Sequence, residues 1–363
     1  MKYDTDMLNC YPLSNSQLNI WNLEQSFCGT SINNICETIR IKGVLDVVLL
    51  QTCLNQILKA DPSLRTQITL DERQHPVQYE KEYEEILFPV FDFSATNITG
   101  FEHWENSITR QVMPILDAPL YYFAIVKLSE HEGGVFIKTH HIISDGWSQV
   151  ALINRIAQTY LALLNREKVT LPLAPSYRLH VEKEQEYLSS KAAERDRKFW
   201  QETLDDAGQA VSLKDHINAE LSPVGQRKTF YLSEKLNHAL NAFCTNHRVA
   251  PFAVFYMAMA IYLKRIRHAD KICIGAPIHN RMDITDRQTT GMFVSTLPFF
   301  TQLDENWSFE EFNRHLSDDW LDLLRHQRLP FSEIISAAKQ TSPDFERPFH
   351  LVLSFHNSQA YRN

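Results

Sequence analysis

The run GVFIKT, residues 134–139, is β-branched and aromatic with Lys138 as its one charge, which predicts a mostly buried strand. Leu120 to Leu128, LYYFAIVKL, predicts a second apolar strand. EHEGG, residues 130–134, reads as the hairpin turn that pairs the two antiparallel. Beyond the first run come two histidines, the polar turn Ser144-Asp145-Gly146, and then Val150, Ile153, Ile156, Tyr160 and Leu164 at helical spacing. Ser148 is the expected N-cap of that helix. Side chains alternate across a strand. If the strand runs through both histidines, His141 shares a face with Val135, Ile137 and Thr139, and His140 shares the other with Phe136 and Lys138.

The same patterns organise the rest of the chain. Leu13, Gln17, Ile20 and Trp21 predict an N-terminal helix over residues 11–23, with Ser14 as its cap. Glu37 to Ile41 alternates like a strand, and Asp46 caps a helix bearing Leu50, Leu54 and Ile57. Asp61-Pro62 is a turn before a further strand, and a helix lies near Phe101 to Met113. NREKVTLPLAPS, residues 165–176, has Pro172, Pro175 and little periodicity, so a domain boundary is expected near residue 170. One long charged helix is expected over Glu182 to Thr203, then a strand at Lys228 to Leu232. Helices at Glu234 to His247 and Pro251 to Arg265 precede a strand at Asp270 to Pro277, and Phe309 to Leu324 is a last helix. This helix-then-strand order echoes the first half, as a weak structural duplication.

Composition narrows the class. The 363 residues are 44% hydrophobic and 22% charged, ordinary for a globular chain. A net charge of −8 disfavours nucleic acid or an anionic membrane as the main partner. Cys10, Cys28, Cys36, Cys53, Cys244 and Cys273 are scattered without CxxC spacing and read as reduced thiols. MKYDTDMLNCY lacks an apolar signal core, and the longest apolar run, Phe252 to Leu263, is too short to span a bilayer. A cytoplasmic protein is expected.

Candidate chemistry sits at the strand end. Among 15 histidines most belong to the surface or to a satisfied core, so one histidine alone carries little weight. The joint pattern HHxxxDG, His140, His141, Asp145 and Gly146, between strand and helix carries more. Imidazoles that point apart cannot share a metal, which needs convergent ligands, so no metal is implied. One histidine is then expected in a reaction space and the other as support. Asp145 can accept from backbone amides or pair with an arginine, and Gly146 can take positive φ or admit a close approach.

HHxxxDG resembles the signature of condensation domains of nonribosomal peptide synthetases, in the chloramphenicol-acetyltransferase-like superfamily. Further stretches match in the family's order. Ser14, Gln17 and Trp21 resemble its opening motif, and Leu64-Arg65-Thr66 the core of a later element. Tyr177 to Trp200 loosely resembles its connecting motif, and HNR follows at residues 279–281. Gly291, Phe293, Val294, Thr296, Leu297 and Pro298 fit another element, in which Ser295 replaces the usual Asn. HQRLPF, residues 326–331, and RPFHLVLSFHN, residues 347–357, resemble two more. CGTSINNI, residues 28–35, resembles condensation domains that start lipopeptide assembly lines.

The resemblance implies an α/β fold of two chloramphenicol-acetyltransferase-like subdomains, 1–170 and 171–363, in a V-shaped pseudo-dimer. The family continues beyond the point matched by Asn363, so the second subdomain is expected to be incomplete at its C-terminus. His141 and the Gly146 amide are implied as catalytic, with His140 and Asp145 as support and Arg65 or Arg281 as the partner of Asp145. Trp147, Ser148 and Ser295 are assigned to the substrate channel. The domain itself holds no cofactor. Its substrates arrive on the phosphopantetheine arm of a downstream aminoacyl carrier protein and on acyl-CoA or an upstream carrier, beside an adjacent adenylation domain. Three readings follow: a starter domain that N-acylates the first amino acid, an elongation domain that joins two carrier-bound residues, and an idle docking domain of the same fold.

Overall fold

A computed structural model describes residues 9–205, 210–214, 222–341, 345 and 347–356. The chain forms two compact units, one holding Met1–Glu186 with Arg281–Phe293 and the other Tyr187–Asn280 with Val294–Asn357. Against the single break expected near residue 170, the chain changes unit after Glu186 and revisits the first unit over Arg281–Phe293.

The first unit begins with β1 (Tyr11–Pro12), α1 (Asn15–Ser26), β2 (Asn34–Lys42), α2 (Val47–Ala60), β3 (Thr66–Leu70), β4 (Pro76–Glu80) and β5 (Val90–Asp92). It continues through α3 (Asn97–Arg110), β6 (Tyr121–Ser129), β7 (Glu132–His140), α4 (Gly146–Leu164) and most of α5 (Arg178–Leu188). One sheet has the order β2-β7-β6-β5 and another β1-β4-β3. The expected β6–β7 hairpin forms, with Tyr121 opposite Thr139 and Ser129 opposite Glu132.

Both faces of β7 are covered, which is why Val135, Phe136 and Ile137 form an apolar run rather than alternating with polar residues. Val135 and Ile137 pack with Leu50, Leu54 and Ile57 of α2 and Leu152 and Ile156 of α4. Phe136 packs on the other face with Phe101 and Trp104 of α3. The buried Lys138 has a local reason. Its Nζ donates to the carbonyls of Ile108 (2.9 Å) and Gln111 (2.6 Å), where α3 ends with unpaired acceptors. Helices α1 and α2 start as their sequences predict. Ser14 closes a capping box with Gln17, and Asp46 accepts from the Leu49 amide.

The second unit holds α6 (Lys191–Asp205), α7 (Glu234–His247), α8 (Pro251–Arg267) and β8 (Lys271–Ile278). After α9 (Ile284–Gln288), which belongs to the first unit, come β9 (Ser295–Gln302), α10 (Phe309–Arg325) and α11 (Phe331–Thr341). β8 and β9 pair antiparallel, and Val352 forms a parallel bridge with Gly275 of β8, so the segment likened to a late strand does run beside the sheet. Residue 357 lies outside the described residues.

Two expectations are corrected here. The long helix over Glu182 to Thr203 is two helices, because Ser190 interrupts it: Ser190 Oγ donates to the Tyr187 carbonyl and accepts from the Ala193 amide. No strand forms at Lys228 to Leu232. Phe230 and Tyr231 lie exposed and no strand pairs with them among the described residues, and alternation without a partner leaves the backbone unpaired. Among the described residues no single helix is long and apolar enough to cross a membrane. The run Phe252 to Leu263 lies in α8, which buries Tyr256, Met257, Ala260 and Leu263.

Candidate active site

β7 ends at His140, residues His141–Ile143 make one 3-10 turn, and α4 starts at Gly146. The helix cap is Asp145 rather than Ser148: Asp145 Oδ1 accepts from the Ser148 amide at 2.9 Å. Gly146 is not among the described residues at positive φ, and it opens a 19-residue helix. Its amide lies in the first helical turn, where N–H groups lack intrahelical acceptors and the dipole is positive.

The other oxygen and the rest of the Asp145 carboxylate are taken up by a segment far away in sequence. Arg281 grips it with two parallel bonds, Nη1 to Oδ2 at 2.7 Å and Nη2 to Oδ1 at 3.0 Å, and both side chains are fully buried. The Phe293 amide donates to Oδ2 at 3.1 Å. The Arg281 guanidinium lies 4.1 Å from the centre of the Phe293 ring. Ser148 Oγ donates to the Gly291 carbonyl (3.0 Å) and accepts from the Gly291 amide (3.1 Å) and Arg281 Nη2 (2.8 Å). Its donor and acceptor capacity is thus spent on protein, and Ser148 is buried. It braces this segment rather than facing a substrate, which corrects its assignment to the channel.

Gly291 is required where it stands. A Cβ there would meet the Tyr177 ring at 2.1 Å. The Tyr177 hydroxyl donates to the Met292 carbonyl and lies 2.8 Å from Ser14 Oγ. Thr290 Oγ1 donates to Asp61 Oδ2 at 2.6 Å, which also pairs with Arg155. Arg65 is not the partner of Asp145. Its guanidinium donates to the carbonyls of Leu58, Lys59, Asp61 and Lys81, closing off the end of α2. Arg65 sits in a turn directly after α2, so those carbonyls reach it first.

The histidines have separate environments. His140 is buried, its Nδ1 accepts from the Ile142 amide at 3.1 Å, and its Nε2 faces Glu24 Oε2 at 3.5 Å. His141 is only partly buried, and its amide donates to the Asn33 carbonyl at 2.8 Å. His141 Nδ1 is inaccessible and has no hydrogen-bond partner among the described residues. Burial holds the imidazole below its ordinary pKa of 6.5, and the nearby Asp145 charge opposes this. The His141 imidazole is therefore held in its neutral form at neutral pH. Trp147 is 42% exposed, with its indole N–H on the Arg287 carbonyl. Ser295 opens β9 in the other unit. Among the described residues no three His, Cys, Asp or Glu side chains converge as metal ligands would.

Several residues of the site carry no chemical signal in the sequence. Gln17 donates to the Ile142 carbonyl at 3.0 Å, so α1 holds the turn after His141. Gln149 Nε2 clamps Thr139 Oγ1 (2.6 Å) and Ser144 Oγ (2.7 Å), tying the two ends of the turn together. The His180 ring lies tilted against that of Phe293, centroids 4.3 Å apart, and burial pushes its pKa down to about 4. Of these only Gln17 is marked by local pattern, through its place in the capping box.

The condensation-domain family model matches residues 7–362. Surfactin synthase subunit 1 of Bacillus subtilis (strain 168) is 30% identical over 349 residues, which is 95% of this chain and 10% of that protein. A plipastatin synthase of the same organism is 27% identical over 346 residues, 95% of this chain and 14% of the relative. The chain thus spans about a tenth of the length of these relatives. The fold resembles a variant of the starter condensation domain of rhizomide synthetase, solved in complex with C8-CoA and Leu-SNAC. The TM-score is 0.84 at 22% identity, over 96% of this chain and 79% of the other. It also resembles the first condensation domain of the calcium-dependent antibiotic synthetase, at TM-score 0.80 and 20% identity over 95% and 79%. Because the family match runs through nearly every residue, the chain belongs to the condensation domains of nonribosomal peptide synthetases, a family of amide-bond-forming acyltransferases.

Proposed function

We propose that the chain is a starter condensation domain that N-acylates a carrier-bound aminoacyl thioester with a fatty acyl-CoA. The observation that carries the chemistry is His141, a neutral and partly exposed imidazole beside a turn braced by Asp145 and Arg281. The α-amine attacks the donor carbonyl, a C–N bond forms, the C–S bond breaks, and CoA leaves as the thiol. His141 accepts the proton lost by the attacking ammonium or holds the amine by hydrogen bond. A positioned base contributes on the order of 10²–10⁴ in rate. The remainder comes from holding the two thioesters together. The Gly146 amide is the donor for the oxyanion that develops on the carbonyl. His140 and Asp145 support the turn. Trp147 is proposed to line the channel.

The starter reading is supported by the GTSINNI stretch and by the likeness to a starter domain solved with C8-CoA. The two motif histidines argue against an idle domain. The proposed partners are a downstream aminoacyl carrier protein and an adenylation domain, in the cytoplasm. A starter needs an apolar seat for an aliphatic tail, where each buried methylene contributes roughly 0.8 kcal/mol. Acyl-CoAs of graded length should therefore compete for one aminoacyl carrier protein with a rate that climbs and then falls, read by mass spectrometry of the N-acylaminoacyl product. Reaction only with a carrier-bound aminoacyl donor would replace this reading with an elongation domain.

A further inference from the structure

Helix α1 touches the catalytic turn twice. At its first turn Gln17 holds the Ile142 carbonyl, and near its last turn Glu24 enters the core beside His140. Glu24 is 5% exposed, and Oε2 accepts from Asn33 Nδ2 at 2.7 Å. The same oxygen lies 3.5 Å from His140 Nε2, a close polar contact that falls short of hydrogen-bond geometry. Burial alone would raise the carboxyl pKa. The His140 imidazole facing it and the hydrogen bond from Asn33 outweigh this and hold Glu24 below the usual range, so a charge persists inside the unit.

Asn33 and His140, the two side chains that face Glu24, also act on the residues around His141. The carbonyl of Asn33 accepts the His141 amide at 2.8 Å. His140 Nδ1 accepts the Ile142 amide at 3.1 Å, which requires the His140 proton to sit on Nε2. A carboxylate oxygen 3.5 Å from Nε2 favours that tautomer electrostatically, and an apolar group there would remove the bias. The amides on either side of the His141 side chain are thus held by groups that meet at one oxygen of Glu24.

We infer that Glu24 is a positioning residue for amide-bond formation, setting the His140 tautomer and the Asn33 side chain so that the backbone on both sides of His141 is held. This rests on the proposed amide-forming role of His141. Because Asn33 and His140 address the same oxygen, a glutamine amide oxygen can replace it, whereas methionine cannot.

Glu24→Met and Glu24→Gln should be compared in the full chain by steady-state kinetics and by ¹⁵N spectra of labelled histidines. Glu24→Met is expected to lower kcat by roughly 10- to 100-fold, as small misplacements of a catalytic group do, with KM unchanged. Its His140 signal should change from protonation on Nε2 to a mixture. Glu24→Gln should restore both readouts. Wild-type kcat with an unaltered His140 spectrum in the methionine variant overturns the assignment, and so does a glutamine variant no better than methionine. Should the methionine variant not fold, the unmodified chain decides, because a His140 carrying its proton on Nδ1 rules the assignment out. The nitrogen spectrum needs no substrate. Absence of amide product from the unmodified chain counts against the proposed function alone.

Discussion

His141 and Asp145 sit four residues apart and do different work. His141→Ala removes the proposed base and leaves the braced turn in place, so kcat should fall by on the order of 10²–10⁴ while the melting temperature holds. Near-wild-type turnover in an active enzyme would take His141 out of the reaction. Asp145→Ala leaves the buried Arg281 charge without its carboxylate, a loss of about 3–5 kcal/mol. Both melting temperature and activity should drop, and Arg281→Lys should not rescue pairing, because an ammonium cannot reproduce the two-bond fork. An unchanged melting curve for Asp145→Ala would show that the pair contributes nothing net. Acid should test the base directly. Burial lowers the His141 pKa below 6.5, so the acid limb of kcat/KM should have its midpoint below 6.5 rather than at it.

Among the elements, the segment Arg281–Phe293 depends on a close approach. Gly291→Ala forces a methyl into the Tyr177 ring, and the ring has no room to move because its hydroxyl is tied to Met292 and Ser14. Overpacking of this kind costs about 1–3 kcal/mol, so this variant should melt earlier than the parent and a calorimetric scan reads it. Helix α5 adds His180 against Phe293, among Asp286, Arg281, Lys183 and Asp145. Its folded pKa is about 4 against 6.5 when unfolded. Between those values the unfolded chain binds the extra proton, so stability falls as pH drops from 6.5 towards 4, and below 4 no further loss comes from this group. Melting temperatures measured across that window should fall less for His180→Phe than for the parent. Parallel curves for the two would remove His180 as the cause. The helices and strands themselves were largely legible, since caps such as Ser14 and Asp46 and the apolar run of β7 act over a few residues. The break at Ser190 was not, because a serine bonding its own local backbone leaves the helical periodicity around it intact.

At the scale of the molecule, a first unit cut out as Met1–Glu186 would lack Arg281 and Phe293. Such a fragment should melt below the first transition of the full chain by circular dichroism, with Asp145 robbed of its guanidinium and Tyr177 of the ring it packs on. Equal transitions would mean that the returning segment adds no stability. The amino-acid sequence by itself determined the strand–turn–helix around HHxxxDG, the hairpin, the Ser14 and Asp46 caps and a family resemblance that the match over residues 7–362 upholds. These rest on short-range physics: φ/ψ preference, apolar period and bonds between residues three or four apart. Only the tertiary structure decided that Asp145 pairs with Arg281, 136 residues away, and not with Arg65. It also decided that Asp145 rather than Ser148 caps α4 and that Ser148 serves Gly291. A carboxylate, a hydroxyl and two arginines have the same bonding capacity wherever they stand along the chain. Which of them meet depends on where distant backbone is carried, and local pattern holds no record of that.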